Sequence, residues 1–542
     1  MKYLNFWLCL ILFLACSTSP DSVFEVLSHK LKIQLDPDSH RMIAIDTIHV
    51  KSRDLTQFSF LLHETLEITS IRIGNQELHY TVDMASGSEG IPELKNSASN
   101  INSMHKIEVM FPPSLDPQYI EIHYEGNFLD SALTNHTENA MLTPPGIYLR
   151  GRSFWYPYFP NQKSSMRLVA RSPRGFRILT SGELIHYTES LDSIYCVWQQ
   201  DQPVQEFFLC AADYWKNTRF CNNVLLSTWL LNDDHDLSDH YLATCSKYIS
   251  RFESLIGPYP FKQYVLAEHI FPEPLSLPAI NLFPSQQLQA LDTIDNHLAH
   301  EICKNWWSRG VQVEPSSGDW SEPLNLYYSE YLNQEKMSKE YRYKKMVDFA
   351  CLEKNRQIAL EELNETESPL AKDINSSKGV MIVYQLRYLL GKDRFDKGMQ
   401  SFYSTYLGSA ATWYDLKDTL EHINDQELDG FFEQWLTRKG APQISLENVM
   451  IEQKGTDSLV TLYVTQSDPV YDLEIPVVIN TPDETISTKL HLDDNEKMFR
   501  IPCKHPPKKI SLDPDYHVFR SLDPKEISSK PPAENVLTWN SE

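Results

Sequence analysis

The sequence predicts a multidomain α+β protein, in which an N-terminal antiparallel β-sandwich precedes an α/β domain with a helical second half and a small C-terminal β domain. Three observations support this prediction. Apolar and polar residues alternate with the period of a strand between residues 29 and 215, the period becomes helical from residue 236 to 441, and alternation returns after Gln443. The chain of 542 residues is also too long for one ordinary domain.

The N-terminus has the composition of a targeting segment. Lys2 precedes residues 4–15, a run that is apolar except for Asn5 and too short to span a bilayer. The run ends FLACS, which resembles a bacterial lipoprotein signal whose cysteine, here Cys16, is lipidated and becomes the mature N-terminus. We expect a signal peptide at 1–16, a tether at 17–28 and a lipid-anchored protein on the periplasmic side of a bacterial envelope, where Ser17 is compatible with the outer membrane. An ordinary cleaved signal with a chance cysteine is the alternative.

The first folded domain is predicted at residues 29–215. Turns rich in Pro, Asp, Asn and Gly separate its alternating runs, and the polar segments 84–104 and 127–143 predict loops. The aromatic segment 146–160 (GIYLRGRSFWYPYFP) is expected to pack beneath a sheet edge, with a ligand platform as the alternative. Strands are predicted at 31–35, 42–50, 107–111, 119–124, 166–182 and 194–215.

The second domain is predicted at residues 216–442 and the third at 443–520. An amphipathic helix is expected at 240–255, and almost continuous helix from 335 to a stop at 440–442. The last residues, 521–542, contain Pro531 and Pro532 and predict a loose tail. Further strands are predicted at 264–267, 279–283, 459–464 and 473–479.

Charge and cysteine content exclude some function classes. The formal net charge of −24 argues against nucleic acid or an anionic membrane surface as a main partner. Seven cysteines remain after Cys9 and Cys16, so they cannot all pair within one chain, and no C-x-x-C spacing suggests a redox or zinc-ribbon role. Cys303 is expected to be a small buried hydrophobe.

The stretch 295–328 carries the chemistry. His300 and Glu301 begin a sequence similar to H-E-x-x-H, in which two histidines four residues apart share one helical face and bind zinc while the glutamate acts as general base on a metal-bound water. Lys304 stands where the second histidine is required. A charged ammonium has three donors and no lone pair, so it cannot bind zinc, and we expect it to pair with Glu301, Glu322 or both.

An ordered series of motifs resembles the gluzincin zinc aminopeptidase family, of the aminopeptidase N and leukotriene-hydrolase type. The resemblance covers residues 29–445 and implies a β-sandwich followed by a thermolysin-like domain. It also implies that His300 and Glu322 occupy metal-ligand positions and that Glu301 occupies the general-base position. The motifs are GPYPF at 257–261, Trp306 with Trp307 after the first helix, GDWSE at 318–322 with Tyr327, Lys378-Gly379 with Gly391, Phe395 and Gly398, and DGFFEQW at 429–435 with Gly440 and Pro442.

The departures from the family pattern fall on its chemistry. Besides Lys304, Ser376 stands where the family has a tyrosine that stabilises the oxyanion, and serine is too short to replace a phenol. The family's Gly-x-Met-Glu-Asn loop corresponds to residues 276–281 (SLPAIN), which lack the glutamate that binds the substrate amine. Loss of one oxyanion donor costs roughly 10²–10³ in turnover, and without zinc water keeps its high pKa.

Two functions remain open. The first is an inactive, envelope-anchored relative that binds a peptide or protein partner in its cleft, with Glu301 idle and no cofactor. The second is an active zinc-dependent metalloaminopeptidase with a non-standard site, in which His297 could join His300 and Glu322. Hydrolysis through Ser376 or Cys303 lacks a visible base and orienting group. His269, beside Glu268, is expected to be structural.

Overall fold

The fold is described from a computed structural model. It describes residues 23–541 except for 54–56, 85–103, 111–118, 129–139, 271–273, 332–337, 353–356, 364–368, 456, 529 and 533. The predicted signal peptide and Cys16 lie outside the described residues, as do most of the two predicted loops at 84–104 and 127–143. None of the described helices combines the length and the apolarity that crossing a bilayer requires.

The chain forms two compact units. The first comprises the residues up to Lys216 together with Trp229–Asp233 and Glu268–Leu277, and the second comprises Asn217–Thr228, Asp234–Ala267 and the chain from Pro278 onward. The predicted α+β class, with a β-rich beginning and a helical second half, is confirmed.

The first unit is built from three sheets. The strand orders are β13-β14-β11-β1-β2-β8-β4-β5, β12-β15-β10-β9 and β3-β7-β6. The strands are β1 (Val23–Asp36), β2 (Arg41–Arg53), β3 (Gln57–His63), β4 (Leu66–Ile73), β5 (Gln76–Glu77), β6 (His79–Met84), β7 (Met104–Met110), β8 (Tyr119–Asn127), β9 (Met141–Thr143), β10 (Gly146–Leu149), β11 (Ser164–Pro173), β12 (Arg177–Thr180), β13 (Glu183–Glu189), β14 (Ser193–Val204) and β15 (Leu209–Ala212).

Alternation of side chains explains the core of this unit. On β1, Leu31, Ile33 and Leu35 are buried while Lys30 and Lys32 are exposed, as the two-residue period of a strand requires. The aromatic segment 146–160 is packing, as predicted, since Trp155, Tyr156, Tyr158 and Phe159 are all buried.

Two features of the first unit differ from the prediction. β1 begins at Val23, so residues 23–28 of the predicted tether are part of a strand. β1 also pairs in parallel with β11, Leu31 lying opposite Leu168, so the eight-stranded sheet is mixed at this pair. A short hairpin would have forced β1 and β11 to be antiparallel, but a long stretch of chain connects them. The alternation of apolar and polar residues therefore does not predict whether the two strands run parallel or antiparallel.

The helices and most of the remaining strands belong to the second unit, while Leu275–Leu277 belongs to the first. β16 (Trp215–Cys221), β17 (Val224–Leu230), β18 (Gln263–His269), β20 (Ile280–Pro284) and β19 (Leu275–Leu277) form a sheet in that order, and β21 (Gln312–Val313) pairs with β22 (Ala410–Ala411). The helices are α1 (His235–Leu255), α2 (Ser285–Leu288), α3 (Leu291–Cys303), α4 (Ser321–Leu326), α5 (Ser338–Ala350), α6 (Pro369–Ile374), α7 (Val380–Leu390), α8 (Lys392–Tyr406), α9 (Trp413–Asn424) and α10 (Asp429–Leu436), with π-helical turns at Tyr327–Tyr331 and Asn375–Gly379.

The C-terminal strands form two further sheets, β23-β24-β27 and β26-β25-β28-β29. Their bounds are β23 (Ile444–Lys454), β24 (Asp457–Gln466), β25 (Leu473–Asn480), β26 (Thr485–Leu492), β27 (Glu496–Cys503), β28 (Lys509–Leu512) and β29 (Thr538–Asn540).

The predicted loose tail is ordered instead in its described residues. β29 pairs with β28, and Leu522 and Leu537 are buried. Arg520 donates two hydrogen bonds of 2.8 Å to Glu526, and both side chains are almost fully buried. A buried pair of this kind holds the segment in place although its prolines resemble those of a linker.

Candidate active site

The helix α3 presents His300 and Glu301 in its last turn. It ends at Cys303, and Lys304 follows as the C-terminal capping residue with its backbone N–H donating to the His300 carbonyl at 3.1 Å. A cation at this end of a helix interacts favourably with the partial negative charge of the last carbonyl groups. The positive charge of Lys304 is therefore favourable at the end of α3 whether or not a ligand is bound.

Lys304 pairs with one of the two carboxylates, as predicted. Its Nζ lies 2.8 Å from Oε1 of Glu301, three residues earlier on the same helical face. Among the described residues, no other carboxylate lies within ion-pair distance of this ammonium. Asn281, on β20, approaches the second oxygen of Glu301 at 3.5 Å.

Glu322 is placed by the short helix α4. Asp319 precedes Trp320, the N-cap of α4, and its carboxylate accepts hydrogen bonds from the Ser321 backbone at 2.9 Å and from the Ser321 hydroxyl at 2.7 Å. Glu322 lies in the first turn, with Oε1 3.3 Å from Nε2 of His300. The two predicted ligand positions are thus brought together, and Lys304 and Glu301 form a second pair beside them.

The electrostatics of the cluster favour ionised carboxylates. Burial alone would raise the pKa of Glu301, but the charges of Lys304, His300 and Arg309 and the Lys304 hydrogen bond lower it to about 2. Burial also opposes ionisation of Glu322, yet His300 and Lys304 lower its pKa below the usual value. A carboxylate with a pKa near 2 is a weak base at neutral pH.

The chain is similar in sequence to several aminopeptidases. Aminopeptidase N of Haemophilus influenzae is 25% identical over 189 residues, which is 32% of this chain and 21% of that protein. Aminopeptidase N of Escherichia coli is 27% identical over 115 residues, 21% of this chain and 12% of that protein. Glutamyl aminopeptidase of Sus scrofa is 20% identical over 432 residues, 71% of this chain and 43% of that protein, so the matches span less than half the length of these relatives.

Solved structures give the same result. The chain superposes on Legionella pneumophila aminopeptidase A in complex with aspartic acid with a TM-score of 0.69 and 14% identity, covering 94% of this chain and 60% of that one. It superposes on a variant of the M1 zinc metallopeptidase from Deinococcus radiodurans with a TM-score of 0.57 and 15% identity, covering 78% of this chain and 96% of that one. No family model matches the chain.

The chain is related to the M1 gluzincin aminopeptidases. The resemblance of the sequence motifs is therefore confirmed as a relationship to these aminopeptidases, and the solved structures show the fold.

The residues present do not fit a zinc ion, the metal in the name of the Deinococcus radiodurans metallopeptidase. Two candidate ligands, His300 and Glu322, stand beside an ammonium in place of a third, and among the described residues no group of three His, Cys, Asp or Glu side chains is arranged to hold a metal. The buried Nδ1 of His300 has no hydrogen-bond partner within the described part of the chain. A metal-binding histidine almost always donates its other N–H to such a partner.

His297 does not complete the ligand set. Its Nε2 lies 3.8 Å from Oε1 of Glu301, the atom that Lys304 already contacts, and its ring packs edge-on against Phe283. Burial lowers the pKa of His297, while Glu301 opposes that shift. The arrangement joins His297 to the Lys304–Glu301 pair.

Ser376 lies in the π-helical turn between α6 and α7. A Cβ on Gly379 of the same turn would come within 2.6 Å of Pro323, so this turn packs tightly against α4. The Ser376 hydroxyl donates to the Asp373 carbonyl at 3.2 Å, a bond within its own helix. Among the described residues, none of His300, Glu301 and Glu322 has a hydrogen bond with Ser376.

Other predicted residues have structural roles. Cys303 is fully buried, and burial raises the pKa of its thiol well above the usual value, so it is not a nucleophile. Trp306 and Trp307 are core residues, as expected. His269 is buried in the first unit and stacks on Tyr148 with a ring separation of 6.1 Å.

Sequence reasoning missed two residues of the site. Asn305 accepts from the Ala279 backbone N–H at 2.8 Å and so fixes the start of β20 against the end of α3. Arg309 lowers the pKa of Glu301, and burial in turn lowers its own. Neither Asn305 nor Arg309 is part of a recognisable sequence motif. Only their positions shortly after α3 could have indicated that they lie near the site.

Proposed function

We propose that this protein is a catalytically inactive relative of the M1 aminopeptidases that binds a peptide or protein partner in its aminopeptidase-type cleft. The observation that carries the proposal is the 2.8 Å contact between Lys304 Nζ and Glu301 Oε1, in the place of a zinc ligand and its general base. A charged ammonium has no lone pair to give a metal. The proposal therefore includes no cofactor and no hydrolytic step.

The chemistry of the neighbouring groups supports the same conclusion. Without zinc the pKa of water is not lowered from about 15.7 towards about 7, so no nucleophile is generated. Glu301, with its pKa near 2, would be a poor acceptor of a proton from water. Ser376 uses its hydroxyl within its own helix and supplies no phenol to an oxyanion.

An active zinc aminopeptidase with a non-standard site is the second candidate. The observation in its favour is the 3.3 Å approach of His300 Nε2 to Glu322 Oε1, which keeps two ligand positions together. Zinc would need a third ligand to replace Lys304, and a carboxylate or imidazole could supply it only after rearrangement.

A zinc titration of three variants separates the two candidates. Lys304→His restores the missing ligand, Lys304→His with Ser376→Tyr also restores the phenol, and Lys304→Gln removes the cation without adding a strong ligand. We expect one zinc per chain in the two histidine variants, none in the wild type or Lys304→Gln, and aminopeptidase activity only with both substitutions. Zinc bound equally by the wild type and Lys304→His would refute the inactive assignment.

We further propose that the protein is held in the bacterial envelope by a lipid on Cys16, with the folded units on the periplasmic side. The support is the apolar run that ends FLACS immediately before the cysteine. Mass spectrometry of the membrane-extracted protein should find an acylated N-terminal cysteine. In about 0.5 M salt, which screens charge contacts of the folded surface, a Cys16→Ser variant should leave the membrane fraction, and its retention there would contradict the anchor.

A further inference from the structure

The outer face of the eight-stranded sheet carries four exposed cations on two neighbouring strands. Lys30 and Lys32 lie on β1, and Arg167 and Arg171 lie on β11. The strands pair in parallel, with Lys30 opposite Arg167. Neighbouring strands lie about 4.8 Å apart and rise about 3.3 Å per residue, so the backbone positions of the four fall within roughly 5 by 13 Å. We call these four residues the basic strip.

The charges of the basic strip are not neutralised by nearby carboxylates. Arg167 donates to the Gln199 side chain at 3.2 Å and Arg171 to the Ser193 hydroxyl at 3.4 Å, both neutral partners. Within the described part of the chain, none of the four cations has a carboxylate within ion-pair distance. A patch of free positive charge in a chain of net charge −24 is not explained by the stability of the sheet.

Carboxylates lie on β8, which β2 separates from β1, and on β14, which pairs directly with β11. Glu125 pairs with Arg41 at 2.9 Å, and Glu121 contacts His123 at 2.7 Å. The charge of Glu125 is thus compensated in part by Arg41. On β14, Asp201 accepts a hydrogen bond of 2.9 Å from Gln199, the residue whose side-chain oxygen accepts from Arg167.

The predicted lipid anchor is joined to this sheet through β1, and Lys30 lies seven residues, or roughly 23 Å, along the strand from its start. β1 begins at Val23, seven residues after Cys16, and seven residues span at most roughly 25 Å. Near this end of the sheet Ser28, His49 and Tyr119 are register neighbours on three adjoining strands. Tyr119 is 56% exposed and stacks on His49 at 4.8 Å. An exposed tyrosine suits a boundary where one side is apolar and the other is water.

We propose that the basic strip is a membrane-contact surface that binds anionic phospholipid headgroups. The inference rests on the proposed function only through the lipid anchor at Cys16, which would hold the face within reach of the membrane at a high effective concentration. Phospholipid is favoured over a soluble acidic partner by the short tether and the exposed tyrosine at its end. Each lysine or arginine near an anionic membrane increases binding about fivefold.

Vesicle co-sedimentation of the chain beginning at Ser17 tests the proposal. This chain contains every described residue but lacks the signal peptide and the lipid. It should bind vesicles with about 30 mol% phosphatidylglycerol, ignore pure phosphatidylcholine vesicles, and dissociate in about 0.5 M salt. Changing all four residues of the basic strip to Gln should weaken binding by roughly 100-fold or more.

A matched control keeps the net charge change the same. Lys247, Lys344, Lys372 and Lys397 are exposed on helices of the second unit, and changing all four to Gln should alter binding by less than about twofold. Equal loss in both quadruple variants would overturn the inference, as would wild-type binding to soluble polyglutamate or heparin but not to vesicles. Absence of binding to anionic vesicles would also overturn it. None of these outcomes touches the anchor or the inactive site, because the tested chain lacks Cys16 and no metal is involved.

Discussion

Removing the ammonium of Lys304 should destabilise the second unit by leaving a buried charge without its partner. In Lys304→Met the side chain keeps its length and loses its charge. Glu301 is 9% exposed and Lys304 26% exposed in the ion pair, so solvent would compensate only in part. The variant therefore tests whether the pair seen in place of the metal site stabilises the fold.

The magnitude follows from the pKa of Glu301. The carboxyl has a pKa of about 2 in the folded protein against an ordinary 4.5, a gap worth about 3 kcal/mol at neutral pH. Lys304 is the largest of the groups that lower this pKa, so we assign it about 2 kcal/mol. Because the folded pKa is lowered, this stabilisation is present above the unfolded pKa and is lost as the pH falls through about 4.5 towards 2.

Urea unfolding followed by tryptophan fluorescence measures the effect, since Trp306, Trp307 and Trp320 are buried near the site. Lys304→Met should lower the free energy of unfolding by about 2 kcal/mol at pH 7. The difference should shrink by roughly a fifth near pH 3.5. Adding Glu301→Gln should recover much of the loss, while the exposed control Lys344→Met should stay within about 0.5 kcal/mol of wild type. A Lys304→Met protein as stable as that control at both pH values would refute the reasoning.

Three further predictions concern other parts of the chain. Arg520→Met should lower the free energy of unfolding in urea by about 3–5 kcal/mol, because Glu526 would stay buried and charged. Arg520→Met with Glu526→Met should lower it less. An Arg520→Met variant as stable as wild type would show that this pair does not hold the tail. Burial lowers the pKa of Lys378 to about 7, so the unfolded chain binds more protons above that pH and wild-type stability should rise by about 2 kcal/mol from pH 7 to 9. Lys378→Met should remove this rise, and an unchanged pH profile would contradict the buried, neutral amine. In the native chain beginning at Ser17 a thiol reagent should modify one cysteine quickly, the exposed Cys351, because the other six are buried; fast labelling of several would contradict the packing.

The elements that the sequence predicted best are those with a local signal. The helix that carries His300 and Glu301 and the helix that places Glu322 in its first turn follow from the motifs that begin at His300 and at Gly318. The ion pair of Lys304 was predictable because an ammonium close to Glu301 and Glu322 is stabilised by pairing with one of these carboxylates. Its choice of Glu301 was not predictable, because it depends on α3 ending at Cys303 and on the placement of Glu322 against His300.

The features that the sequence did not predict depend on contacts between distant segments. The parallel pairing of β1 with β11 joins strands with no short connection between them. The tail is held by Arg520 and Glu526, and a charged pair in a segment with prolines gives no periodic signal of burial. Arg309 acts on Glu301 through space and belongs to no motif.

Zinc titration of the wild-type chain at pH 7, with His300→Ala as the control, tests the central claim most directly. If the Lys304–Glu301 pair has replaced the metal site, no saturable zinc binding should depend on His300. One zinc per chain that is lost in His300→Ala, together with peptide hydrolysis that a chelator abolishes, would contradict the account.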